Sequence, residues 1–119
     1  MQSVGVDIVE ISRIQAALVR WGERFLRRVY TPAEIGHCRG QPHKLAVRFA
    51  AKEAVSKALG TGLRGVAWRE IEILSEKSGK PYVRLYGRAE ARAQELGLSS
   101  FAVSLSDTNE LGIAFVVAS

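Results

Sequence analysis

Residues 69–86 read REIEILSEKSGKPYVRLY, and this stretch decides the fold class. Ile71 and Ile73 alternate with Glu70 and Glu72, the period-two pattern of a strand with one apolar face. Tyr82, Arg84 and Tyr86 alternate with Val83 and Leu85 in the same way. Lys77-Ser78-Gly79-Lys80 lies between them and is a turn signal. The spacing therefore predicts a hairpin with strands over Arg69–Leu74 and Pro81–Tyr86. A second hairpin closes the chain: Phe101–Ser106, a polar turn at Asp107-Thr108-Asn109, and Leu111–Ala118. Two hairpins of neighbouring strands point to a mostly antiparallel sheet.

Working outward, Ser3–Val9 reads as a further strand, with Val4, Val6 and Ile8 alternating with Gly5, Asp7 and Val9. Ser12 is placed to cap a helix carrying Ile14, Leu18, Trp21 and Phe25 on one face. Thr31-Pro32 with Glu34 forms an N-cap, a first-turn proline and a capping-box glutamate, so a short helix follows and ends near Gly40. Pro42 opens the longest helical stretch, about His43 to Leu59, which Gly60-Thr61-Gly62 stops. An Ala-rich helix runs from Gly87 to Leu96 and ends at Gly97. The predicted order is β-ααα-ββ-α-ββ: one α+β domain over residues 1–119, with helices packed on the sheet.

The 119 residues are 47% hydrophobic, enough for a core. Seventeen Lys+Arg stand against 12 Asp+Glu, a formal charge of +5, which predicts attraction to an anionic partner without selecting one. The single cysteine, Cys38, cannot form an internal disulfide or a cysteine-only zinc site. His37, Cys38 and His43 do not have a recognisable metal spacing. No basic leader followed by an apolar stretch opens the sequence, and no apolar run reaches the roughly 18 residues of a membrane span. A cytoplasmic protein with no membrane partner is the expectation.

The chemistry concentrates in RFAAKEAVSKALGTG, residues 48–62. On a helix Phe49, Glu53 and Lys57 share a stripe, and Arg48 and Lys52 lie on the next one. A carboxylate flanked by cations suits a phosphate site that also holds a hard cation. The plainer reading is an ordinary i,i+4 pair, Glu53 with Lys57, beside a solvated basic face. Asp7 is costly to bury unless it is paired or binds metal, and otherwise belongs at a sheet edge in solvent. Gly60-Thr61-Gly62 is a weak phosphate-loop signal, because it follows a helix C-terminus, where the dipole disfavours anions; a simple C-cap is the better reading of these residues. Arg13, Arg20, Arg24, Arg27 and Arg28, interleaved with Trp21 and Phe25, form either a docking face for an acidic partner or a solvated helix face.

Taken together, Gly5-Val6-Asp7-Ile8-Val9-Glu10-Ile11 with Arg13-Ile14, the stretch from Arg48 to Gly62, Gly79-Lys80-Pro81-Tyr82 and the strand Val103-Ser104-Leu105-Ser106 resemble the holo-[acyl-carrier-protein] synthases. These are the small trimeric class of 4′-phosphopantetheinyl transferases. The resemblance spans essentially the whole chain. It implies Mg²⁺ on Asp7 and Glu53 as cofactor, with coenzyme A as co-substrate. It implies that Arg48, Lys57 and Gly60-Thr61-Gly62 hold the phosphates of coenzyme A, with Lys80-Pro81 near the nucleotide. It also implies that Asp7, Glu53 and Lys57 are catalytic, that Arg13 and Arg20 dock an acidic acyl carrier protein, and that a homotrimer forms its sites at subunit interfaces.

One position departs from the family pattern. Where the family usually carries a histidine after the Ser104-Leu105-Ser106 run, this chain has Asp107. A carboxylate cannot donate to a phosphate as a protonated histidine can. Asp107 is a third Mg²⁺ ligand, a partner for a lysine, or a turn residue capping Asn109. Two other readings compete: a nucleic-acid-binding module, which would leave Asp7 and Glu53 without a role, and a non-catalytic homologue that only binds. No nucleic-acid partner is expected.

Overall fold

A computed structural model describes residues 1–119. The chain runs β1 (Ser3–Glu10), α1 (Ile11–Trp21), α2 (Glu23–Val29), α3 (Pro32–Cys38) and α4 (Pro42–Ala58). A single turn α5 (Gly62–Gly65) and a 3-10 turn, Trp68–Glu70, lead into β2 (Ile71–Ser75) and β3 (Pro81–Leu85). Helix α6 (Gly87–Glu95), β4 (Phe101–Asp107) and β5 (Leu111–Ala118) complete it. The α+β class is as predicted, and every strand pair is antiparallel. The strands divide into two sheets, a three-stranded β1-β5-β4 and the separate hairpin β2-β3. No helix is long and apolar enough to cross a membrane.

Several details differ from the sequence expectations. The first predicted helix is two, broken at Gly22, whose φ of 54° and ψ of −128° only glycine adopts readily. Helix α1 begins one residue before Ser12, and no side chain caps it. Trp21 does not follow Ile14 into the core; it is exposed, while Phe25 packs against the core edge. Arg69 and Glu70 belong to the 3-10 turn rather than to β2, and Glu72 is buried beside Ile71 and Ile73. By contrast the Thr31 capping box forms as predicted: the Thr31 hydroxyl accepts from Glu34 N–H, and the Glu34 carboxylate accepts from Thr31 N–H.

Helix α4 lies across β1 and β5 and is buried on most sides. Leu45, Ala46, Ala50, Ala51, Ala54, Val55 and Ala58 form its core side. Small residues on both partners let the two layers approach closely. A Cβ on Gly5 would overlap the Ala54 carbonyl oxygen, and one on Gly112 would press within 3.2 Å of the Ala46–Val47 backbone. The face of β1 toward α4 therefore carries Gly5, Asp7 and Val9, and the apolar Val4, Val6 and Ile8 point away from the core. In register, Val4, Val6 and Ile8 stand beside Val117, Phe115 and Ile113 of β5. An apolar sheet face is thus left without cover inside the chain.

Candidate active site

Asp7 sits mid-strand on the α4 side of β1, and Glu53 and Lys57 sit one turn apart on α4. The close β1–α4 contact brings them together. Lys57 Nζ donates to Asp7 Oδ1 at 3.1 Å and to the Val6 carbonyl at 3.0 Å. The Glu53 carboxyl is held above the ordinary carboxylate range by burial first and by the Asp7 charge next; Lys57 and Arg13 oppose the shift. Four residues named from the sequence, Asp7, Arg13, Glu53 and Lys57, therefore form one electrostatic cluster. Two carboxylates brought this close are suited to sharing a divalent cation.

Arg48 belongs to a second cluster. It is buried, and its guanidinium donates to Ser75 Oγ at 3.0 Å and to the Lys44 carbonyl at 3.4 Å. With Pro81, Lys44, His37 and Lys77 it lines a cleft of about 510 Å³ between α3, α4 and the β2–β3 turn. Lys80 is exposed in that turn, which Gly79 allows with a φ of +93°. Lys44, His37 and Lys77 were not singled out for this role from the sequence. Lys44 could have been, because it precedes Arg48 by one helical turn. Burial, then Arg48, Lys44 and Arg39, push the His37 imidazole below its ordinary value, as a crowd of cations requires.

The Gly60-Thr61-Gly62 turn is the C-cap that the sequence allowed. Gly60 N–H donates to the Lys57 carbonyl and Thr61 N–H to the Ser56 carbonyl, a Schellman motif with Gly60 at a φ of +74°. Only two buried side-chain polar atoms in the chain lack a hydrogen-bond partner, Arg48 Nε and Thr61 Oγ1. Both belong to residues assigned to phosphate on the resemblance. An orphaned donor and an orphaned hydroxyl are what a site for an external anion leaves behind.

Two readings need correction. Lys52 does not flank Glu53. It is fully buried on the opposite side of α4, 2.7 Å from Glu34 Oε1, and also donates to the carbonyls of Trp68 and Ile71. Glu34 accepts from Ile73 N–H, and Glu72 accepts from Thr31 and Tyr86, so Lys52 ties α3 and β2 to α4. Nor does Asp107 approach Asp7 and Glu53: no three His, Cys, Asp or Glu side chains gather anywhere in the chain. Asp107 ends β4 near Ile11, Gln15 and His43, and Thr108, not Asp107, caps the turn by accepting from Glu110 N–H and Leu111 N–H. Of the docking candidates, Arg13 faces Glu53, and Arg20 is exposed with its guanidinium 4.9 Å from the Trp21 ring centre.

Comparison with known proteins identifies the family of the chain. The family model of the 4′-phosphopantetheinyl transferase superfamily matches residues 3–116. The holo-[acyl-carrier-protein] synthase of Herpetosiphon aurantiacus is 52% identical, covering 98% of this chain and 98% of its own. The crystal structure of the Neisseria meningitidis synthase is similar at 40% identity and a TM-score of 0.89, covering 98% of this chain and 97% of that one. That of the Helicobacter pylori synthase in complex with coenzyme A is similar at 32% identity and 0.89, covering 98% and 99%. By sequence and by fold, this chain belongs to the 4′-phosphopantetheinyl transferase superfamily, among the holo-[acyl-carrier-protein] synthases.

Proposed function

We propose that the chain, as one domain over residues 1–119, moves 4′-phosphopantetheine from coenzyme A to a serine of an apo acyl carrier protein, in the cytoplasm and in the service of fatty acid synthesis. The observation that carries the reading is the meeting of Asp7 with Glu53 and Lys57 across the β1–α4 contact. Asp7 and Glu53 are the residues that would hold Mg²⁺. Two carboxylates and no third acid suit an ion that keeps its remaining positions for water and substrate phosphate. Bound there, Mg²⁺ supplies neutralisation of charge on the pyrophosphate.

The chain's own groups do the rest. Lys57, Arg48 and the Gly60-Thr61-Gly62 turn hold phosphate oxygens, and Lys80 and Pro81 flank the nucleotide. The carrier serine attacks the β-phosphorus of coenzyme A in line, a new P–O bond forms, and the bond to the departing 3′,5′-ADP breaks. Glu53, or a water it orients, takes the serine proton. Positioning supplies most of the acceleration, since phosphoryl transfer leaves little covalent work for the protein.

Arg13 and Arg20 would meet an acidic carrier protein, with Arg13 next to the reacting groups. The uncovered face of Val4, Val6, Ile8 and Phe115 favours a homotrimer built on that face. The test is the intact mass of an apo carrier protein after incubation with the chain, coenzyme A and Mg²⁺. A gain of one phosphopantetheine, lost with EDTA and in Glu53→Ala, is the expected result. Coenzyme A binding without any gain would instead make the chain a non-catalytic homologue.

A further inference from the structure

Helix α4 ends in a way that opposes its proposed use. The last carbonyls of a helix carry partial negative charge, which repels an anion placed on them. The Gly60-Thr61-Gly62 turn stacks directly on those carbonyls. A side chain from another element addresses this. Arg92 of α6 reaches back across 33 residues and donates from Nε to the Leu59 carbonyl at 3.0 Å. Leu59 is the C-cap of α4. The same guanidinium lies against the turn itself: a Cβ on Gly60 would sit 3.6 Å from Arg92 Nη2. Nη1 is 2.8 Å from Glu95 Oε1, a carboxylate 66% exposed to solvent, whereas the guanidinium lies against the turn. With Lys57, the end of α4 then carries two cations. Thr61 Oγ1, in the same turn, is one of the two orphaned buried polar atoms.

We propose that Arg92 is a positioning residue for coenzyme A: it occupies the Leu59 carbonyl, fixes the backbone at Gly60, and supplies the positive charge that a helix C-terminus lacks. The turn becomes able to receive phosphate because α6 lends it a guanidinium. This rests on the reading that Gly60-Thr61-Gly62 holds phosphates of coenzyme A.

The experiment compares Arg92→Gln, Arg92→Lys and Lys57→Ala with the wild type. It measures coenzyme A affinity by calorimetry at low and high salt, the KM for each substrate, and Tm. Arg92→Gln can still donate to Leu59 but has no charge. It is expected to bind coenzyme A about five-fold more weakly at low salt, the size of a charge at a helix end, and the gap should shrink in high salt. KM for the carrier protein should not move. Arg92→Lys restores the charge and should recover affinity to within about two-fold. Unchanged coenzyme A affinity in Arg92→Gln overturns the proposal, and a fall in Tm alone would leave Arg92 a helix cap. Equal losses in Gln and Lys that track Tm overturn it as well. Unchanged affinity in Lys57→Ala would instead overturn the reading of the site on which the proposal stands.

Discussion

Lys52 and Glu53 are neighbours in sequence with opposite fates. Glu53 faces Asp7 at the candidate site, while Lys52 points to the far side of α4 and is sealed against Glu34. Removing one partner of such a pair leaves the other charged, dry and unpaired. Lys52→Met should lower unfolding free energy by about 3–5 kcal/mol in urea denaturation, and Lys52→Met/Glu34→Gln should recover part of the loss. A loss within about 1 kcal/mol would class the pair with surface ion pairs. Glu70 gives a pH-dependent counterpart. Burial pushes its carboxyl up, but the N–H groups of Ala67 and Arg88 and the Arg88 guanidinium outweigh that, and the net shift is downward. A carboxyl depressed in the folded state stabilises above its unfolded pKa, and that stability is lost as pH falls from about 4.5 through the folded value. The Tm gap between wild type and Glu70→Gln should therefore be full at neutral pH and close in acid; a constant gap would remove the linkage. Neither role was legible in the sequence. Spacing placed Lys52 beside Arg48 on a helix, but not which side of that helix β2 would cover.

Among elements, β1 and α4 matter most, because the site exists only where they touch. Gly5 lets them touch. Gly5→Ala drives a methyl into the Ala54 carbonyl, a backbone obstacle that cannot turn aside. The cost should exceed the roughly 1–3 kcal/mol of ordinary overpacking, and transfer activity should fall with it. Gly36→Ala, inside α3 where a Cβ meets nothing within 4 Å, serves as the control without steric cost and should hold or slightly raise Tm. If Gly5→Ala matches that control in Tm, the close approach is not what sets the spacing. Elements with strong local signals were legible: the capping box at Thr31, the turn at Gly79, the glycine stop after α4. The break at Gly22 was not, since one glycine inside an apolar 3.6-residue rhythm also fits an unbroken helix. The division into two sheets was not either, because hairpins announce their own pairing and nothing beyond it. Asp7 and Glu53 are a strand residue and a helix residue far apart in sequence. Only the resemblance joined them before the fold did.

At the scale of the molecule, the uncovered face of the three-stranded sheet is the chief anomaly. Val4, Val6, Ile8 and Phe115 are each about half exposed or more within one chain. Val6→Glu places a charge at the centre of that face, opposite Phe115. Sedimentation velocity should show the proposed trimer reduced to monomer, with circular dichroism unchanged, since the Val6 side chain points away from the core. A wild type that sediments as a monomer would refute the assembly. Strand β1 thus serves two masters through the simple alternation of its side chains: Asp7 is offered to one side, Val6 and Ile8 to the other. A single-residue insertion or deletion within it would exchange the two faces beyond that point, turning the acid toward the proposed subunit contact and valines toward α4. The length of the strand is therefore tied to both roles at once.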